Sequence, residues 1–380
     1  MSRIVLGIVC LLAIGFMLAD RMGNQDVEAV PTRFLSGVLP DSTDSQDYDH
    51  ASPDTVIQFP RDHGAHEGFR HEWWYFTGNL QSQEGREFGY QLTFFRFAHA
   101  SRSEIQNAWN NDQTWMAHLA VSDIESERFF LKQDMSRQSL GLAGVKIQPF
   151  RVWLHNWHAT GTEPSEPDRL ALDLNAEGDG FSIDLSVKSK TAPVLQGENG
   201  YSRKGHSGKS ASHYYSYPDM ETSGQIRIDG KTFEVFGTTW MDREWSSALL
   251  QENQTGWDWF ALHLDNGKKI MAFQMRQEQG EAYRHAVLID PRQEKIPLDV
   301  IEMIPTRSWI SPDTGIEYPI GWKLGLQSVQ EMIALEVDSL MPNQEMDLLF
   351  RYYEGAVEVR GQSGNEEISG RGYMELTGYN

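Results

Sequence analysis

From Pro60 onward the sequence runs in short blocks whose apolar and aromatic residues alternate with polar ones or run together, and turn signals separate the blocks. "EFGYQLTFFRFA", "RLALDLNAEGDGFSIDLSVKS", "QIRIDGKTFEVFGTTWM" and "DWFALHLDNGKKIMAFQMR" are examples. A side-chain period of two belongs to strands, and the period of about 3.6 that marks a helix is nowhere sustained. Asp229-Gly230 and Asn266-Gly267 are tight-hairpin signals, because primed turns need the positive φ that Gly and Asn adopt at low cost. Gly178-Asp179-Gly180 marks a third turn. The best short helical candidate is 103–111, where Ser103 and Gln106 have capping-box spacing. Many antiparallel strands at this spacing predict an all-β fold of sandwiches or closed barrels. An aromatic-rich interior favours a barrel or cleft that holds a ligand.

At 380 residues the chain exceeds one small domain, and the Gly-, Ser- and Lys-rich stretch "GENGYSRKGHSGKSAS" divides the strand region. We therefore expect β-barrel domains at 61–212 and 213–380. Ahead of them, Arg3 precedes an unbroken apolar run from Ile4 to Ala19, a signal-type segment for export. At roughly 16 residues it is longer than most signal cores and shorter than the ~20 of a membrane-spanning helix, so residues 1–20 are a signal peptide or a retained anchor. Met17 spoils a cleavage site directly after the run, which favours the anchor, while Val27-Glu28-Ala29 offers a late site. Either way the body is expected to be exported, to the periplasm, with membrane contact through residues 4–19. Residues 21–60 are polar, rich in Asp, Ser and Pro, and read as a disordered tether.

A net charge of -21 excludes nucleic acid as partner, since phosphate binding needs clustered Lys and Arg. Cys10, the single cysteine, lies in the apolar run, so the folded part has no disulfide, no thiolate zinc site and no cysteine nucleophile. No cofactor or metal is expected. The 12 Trp and 18 Phe argue instead for apolar cavities or aromatic stacking surfaces.

In "HEWWYFTGNL" alternation puts His71, Trp73 and Tyr75 on one strand face and Glu72, Trp74 and Phe76 on the other. The first face is the better candidate for lining a cavity. Glu72 reads as the partner of a buried arginine. In "GYQLTFFRFA" Arg96 stands among aromatics and needs a carboxylate, for which Glu72 or Glu244 would serve. "SHYYSYPDMETSG" and "GTTWMDREW" combine His213, Tyr215, Trp240, Asp242, Glu244 and Trp245. Asp242 and Glu244 share a strand face, where mutual repulsion and apolar surroundings would raise at least one pKa and make a general acid. Alternatively, Arg243 and Arg96 neutralise both carboxylates and the block only seals an interface.

These blocks, with "GWDWFALHLDNGKKIMAFQMR" and the closing "GRGYMELTGY", resemble the carotenoid hydratase family in its AttH/CrtC-type form, from about Gly68 to the C-terminus. The resemblance implies two lipocalin-like barrels with a ligand site near their junction. One branch of that family hydrates an isolated double bond of an acyclic carotenoid, and an exported branch is often encoded beside an ABC-type exporter permease. Carried over residue by residue, the hydratase pattern puts the acid at Asp242 and its companions at Trp240, His213 and Tyr215. Trp240 and Tyr215 differ in ring type from the hydratase branch, and "WMDREW" is the form of the exported one. His71, Trp73, Tyr75, Glu244 and Trp245 would bind the ligand.

Two functions of different class fit. One is a hydratase acting on an apolar isoprenoid or lipid with Asp242 as acid. The other is a non-catalytic carrier or accessory protein of an ABC-type exporter, tethered at the membrane. A carbohydrate-binding β protein using Trp platforms ranks last, because Asp242 and Glu244 sit on one strand rather than across a sugar.

Overall fold

The computed structural model describes residues 48–99, 112–162, 168–206, 210–248, 250–251 and 253–379. The N-terminal run 4–19 and the helical candidate 103–111 lie outside the described residues. Among the described residues there is no α-helix, only a 3-10 turn at Arg61–His63, and the fold is all-β.

The first sheet contains β1 (His71–Ser82), β2 (Glu87–Ala98), β3 (Gln113–Asp123), β4 (Arg128–Arg137), β5 (Ala143–Ile147), β6 (Phe150–Leu154), β7 (Trp157–Gly161), β8 (Ala171–Gly178), β9 (Phe181–Ser189), β10 (Val194–Leu195), β11 (Tyr201–Arg203), β12 (Ala211–Ile228) and β13 (Lys231–Ser246). Its order is β4-β3-β2-β1-β13-β12-β9-β8-β7-β6-β5, with β10 and β11 added beside β12. The sheet curls into a nearly closed barrel around a single core that draws Trp74, Phe94, Trp115, Leu174, Ile183 and Met241 from both ends of that order. The second sheet contains β14 (Gln254–Leu264), β15 (Lys269–Gln277), β16 (Tyr283–Ile289), β17 (Lys295–Ile310), β18 (Glu317–Gln327), β19 (Met332–Ser339), β20 (Glu345–Asp347), β21 (Arg351–Ser363) and β22 (Glu366–Thr377). Pairing of β19 with β21 closes it into an eight-stranded barrel with β20 flanking β21. Closure removes the exposed edges that an open sheet would leave. Its interior is filled by Phe260, Leu288, Trp322, Leu335, Val357 and their neighbours.

The division expected at 212/213 falls inside β12, which with β13 belongs to the first barrel. The sheets part after Ser246, because the long Asp229-Gly230 hairpin pairs β13 with β1 and so returns the chain to its first strand. The expected tether also ends earlier than residue 60. Asp49 donates its backbone N–H to Gly68, Ser247 Oγ donates to the Asp49 carbonyl, and Ile57 is buried in the first core.

Asp229 and Gly230 take φ of 50° and 78°, as a two-residue primed turn requires. At Asn266-Gly267 only Gly267 has positive φ, and the Leu264 N–H bonds to Lys268 O across a longer loop. This is a turn closed by a left-handed glycine, the common three-residue alternative to the primed turn.

The barrels pack outer face to outer face. Tyr75, Tyr214 and Trp240 from the first join Trp259, Met271, Phe273 and Tyr373 from the second in a shared apolar cluster. At Gly89 the approach is so close that a Cβ would lie 2.6 Å from that of Ala356, so a side chain there would push the barrels apart. Polar links flank the cluster: Asn79 Nδ2 donates to Gly372 O at 2.9 Å, Lys269 pairs with Asp219 at 2.8 Å, and Arg371 pairs with Glu87 at 2.9 Å.

Candidate functional site

Strand alternation decides which side chains meet between the barrels. On β1 His71, Trp73 and Tyr75 point outward from the first barrel, and on β13 Trp240, Asp242 and Glu244 do the same. On β12 the outward residues are Ser212, Tyr214 and Ser216. The second barrel contributes Trp257 and Trp259 from β14, Phe273 and Met275 from β15, Glu354 from β21 and Glu375 from β22. Between them lies a partly open cavity walled mainly by aromatic side chains. The cavity thus runs along the seam between the barrels.

Asp242 stands directly opposite Tyr75 across the β1–β13 pair. Its carboxyl takes three hydrogen bonds: Tyr214 Oη donates to Oδ2 at 2.6 Å, while Ser216 Oγ and Trp240 Nε1 donate to Oδ1 at 2.5 and 2.7 Å. Trp259 Nε1 in turn donates to Tyr214 Oη at 3.2 Å. No cation pairs with Asp242 among the described residues. Burial therefore outweighs the three donors and, with help from Glu244, pushes the carboxyl up to about 7. Half of it carries a proton near neutral pH. Glu244 differs: Lys204 Nζ lies 2.7 Å from Oε1, and Ser212 Oγ donates to the same oxygen.

Across the cavity Tyr75 Oη donates to Glu354 Oε2 at 2.9 Å, and Oε1 is buried without a partner. Burial and the neighbouring Glu375 push Glu354 well above the usual carboxylate range, and burial lifts Glu375 to about 8. Sequence reasoning missed this second carboxyl pair. Its signal was present in "GRGYMELTGY" and "RYYEGAVEV", where Glu375 and Glu354 sit beside aromatic and small residues, but their opposition depends on the register of the β21–β22 hairpin.

At the other end of the β1 face, His71 is fully buried and neither ring nitrogen has a partner. Burial, aided by the Arg70 and Arg96 charges, lowers it to about 3, so the ring is neutral.

Three residues expected at the site lie elsewhere. His213, Tyr215 and Trp245 are odd-numbered on β12 and β13 and point into the first barrel. Tyr215 Oη contacts His63 Nδ1 at 2.7 Å, Trp245 stacks on His66 with centroids 3.8 Å apart, and His213 rests against Phe69 and Trp245. The carried-over His-x-Tyr pair is therefore one residue out of phase with Asp242, and Tyr214 takes its place. In the same interior Glu72 is held by both Arg96 and Arg243, with His66 at 3.3 Å, and these charges keep it well below the usual carboxylate range although burial opposes them. The arginines thus serve Glu72 and leave Asp242 and Glu244 to the cavity.

Two barrels, one closed and one nearly closed, with an acid-bearing aromatic cavity along their seam define a double-barrel, lipocalin-like protein. Residues 50–379 match the AttH-like family model, and the chain belongs to that family. A crystal structure of an AttH protein from Nitrosomonas europaea is similar over 87% of this chain and 100% of its own, at 34% identity and a TM-score of 0.74. Kievitone hydratase from Nectria haematococca shares the fold at 16% identity and a TM-score of 0.64, covering 87% of this chain and 96% of its own. CghA, solved with Sch210972, shares it at 11% identity and a TM-score of 0.52, covering 88% and 97%. No curated protein matches the chain.

Proposed function

We propose that the seam cavity binds an apolar unsaturated ligand, an isoprenoid or related lipid, and that Asp242 hydrates an isolated double bond in it. The observation that carries this is a buried, uncompensated carboxyl at about 7 facing aromatic rings. Addition of water to an unactivated alkene starts with transfer of the Asp242 proton to one alkene carbon. The other carbon becomes a cation, which the faces of Trp73, Tyr75 and Trp259 can stabilise. A water then forms the C–O bond, and its surplus proton returns to the Asp242 carboxylate, so one water is consumed and the acid restored. Glu354 Oε1, unpartnered and on the cavity wall, is available to hold that water. The name of kievitone hydratase, a protein of the same fold, is consistent with such chemistry.

Incubation of the purified protein with acyclic isoprenoids in heavy-oxygen water tests this. Label should enter the product with wild-type protein and fail to enter with Asp242→Asn. A ligand that is bound but never labelled would sink the hydratase and leave a carrier. The enclosed aromatic volume supports that second function equally, since it suits holding as well as conversion. Export to the periplasm, anchoring through residues 4–19 and delivery to or from an ABC-type exporter are proposals that rest on the N-terminal sequence.

A further inference from the structure

The His71 end of the cavity has no part in the chemistry at Asp242. Its imidazole lines the cavity, is buried, and leaves both nitrogens unpaired. A neutral imidazole carries one donor and one acceptor, and leaving both unmade in a buried place costs free energy that a bound partner recovers. None of the described neighbours supplies that partner. Trp73 lies parallel to the ring at 5.9 Å, and the cross-strand neighbour Phe97 has no polar side-chain atom. Ser246, its other cross-strand neighbour, commits its hydroxyl to the carbonyls of Ala211 and Ala248.

The distance to the acid is fixed by the strand. His71 pairs with Ser246 and Tyr75 with Asp242, so four residues of extended chain separate the two levels, about 13 Å at ~3.3 Å per residue. Trp73 fills the wall between them. We propose that the ligand is amphiphilic, with a hydroxyl or carbonyl held by His71 and its reacting double bond about 13 Å away at Asp242. A hydroxyl suits His71 best, because it can donate to the bare ring nitrogen or accept from the protonated one, whichever faces it. The inference rests on the cavity being a site for an unsaturated apolar chain, and it narrows the substrate class to isoprenoid alcohols and their carbonyl analogues over plain hydrocarbons.

Farnesol and the hydrocarbon β-farnesene serve as probes, with binding to the full chain followed by quenching of tryptophan fluorescence. Wild-type protein should bind farnesol at least tenfold more tightly than farnesene. His71→Phe, which keeps a flat ring, should bring that ratio close to one. His71→Gln, which keeps a donor and an acceptor, should retain a preference for the alcohol. A wild-type ratio near one overturns the inference, as does an unchanged preference in His71→Phe or a complete loss in His71→Gln. Should His71→Phe fail to fold, the wild-type ratio and His71→Gln decide. Binding without preference defeats only this inference, whereas failure of wild type to bind either probe defeats the apolar-ligand cavity itself. Neither outcome depends on turnover, so the labelling experiment tests hydration independently.

Discussion

Glu354 on β21 and Glu375 on β22 are direct cross-strand partners, and both carboxyls open onto the cavity. Two carboxyls so placed repel each other when both ionise. In the unfolded chain each would titrate near 4. In the fold Glu375 titrates at about 8 and Asp242 at about 7, with Glu354 also well above its usual range. Over that span the native state binds more protons than the unfolded one, so these groups stabilise the fold fully at low pH and lose that contribution as pH rises. Buried histidines act in the opposite sense: His63 and His71 at about 3, and His118, His213, His263 and His285 at about 4, favour unfolding below 6.5. Their effect fades over the unit above that value, as the unfolded imidazoles lose their last protons, and is small by about pH 7.5. Urea midpoints should therefore fall between about pH 7.5 and 8.5, and Glu375→Gln should flatten the fall by up to about 1.4 kcal/mol per pH unit. An equally steep fall in the variant would show that Glu375 does not hold the proton.

Asp242→Asn keeps the size of the acid, with its oxygen still able to accept from Ser216 and Trp240 and its amide donating to Tyr214 Oη, but has no proton of suitable acidity. Ligand affinity should change by less than about threefold, whereas hydration should drop by about 10²–10⁴, the usual worth of a general acid. Fluorescence binding and label incorporation, measured on the same preparation, separate the two effects.

Tyr214 and Tyr215 are adjacent, yet they face opposite sides of the sheet. Tyr214→Phe removes a donor that favours ionised Asp242, so the alkaline limb of any activity profile, where the acid loses its proton, should move to higher pH. Tyr215→Phe loses the contacts of its hydroxyl with His63 Nδ1 and the Asp62 carbonyl inside the barrel, at a cost of about 1 kcal/mol, with the activity profile unmoved. If Tyr215→Phe shifts the profile and Tyr214→Phe does not, the assignment of faces is reversed.

Glu72→Gln would leave Arg96 and Arg243 buried without their shared carboxylate. A loss of about 3–5 kcal/mol is expected from breaking such a pair from one side. Chemical denaturation measures it, and a change below about 1 kcal/mol would mean that the backbone carbonyls of His66, Phe69 and Gly64 suffice for the guanidiniums.

Much of this was legible in the chain. Period-two alternation correctly put His71, Trp73 and Tyr75 on one face and assigned Glu72 to a buried arginine, because parity within a strand is a local property. The Asp242–Glu244 face was readable for the same reason. Parity between strands was not: whether Tyr214 or Tyr215 meets Asp242 depends on the register of β12 against β13, where Ser216 rather than Tyr215 opposes Asp242. The domain boundary failed on similar grounds. A flexible-looking stretch marks a loop, and only the pairing of β13 with β1 reveals that this loop lies within a barrel instead of between two. Glu354 and Glu375 were hidden because their opposition depends on the register of the β21–β22 hairpin, which parity within one strand does not give.

Because each barrel builds its core from its own side chains, the residues that shape the cavity belong to neither core. Substitutions at Trp73, Phe95, Met275 or Phe350 would alter the seam while leaving the two hydrophobic cores untouched. Ligand preference can accordingly drift during evolution without a matching loss of folding stability. A scaffold of this design is free to diversify its chemistry along a surface it has already stabilised twice over.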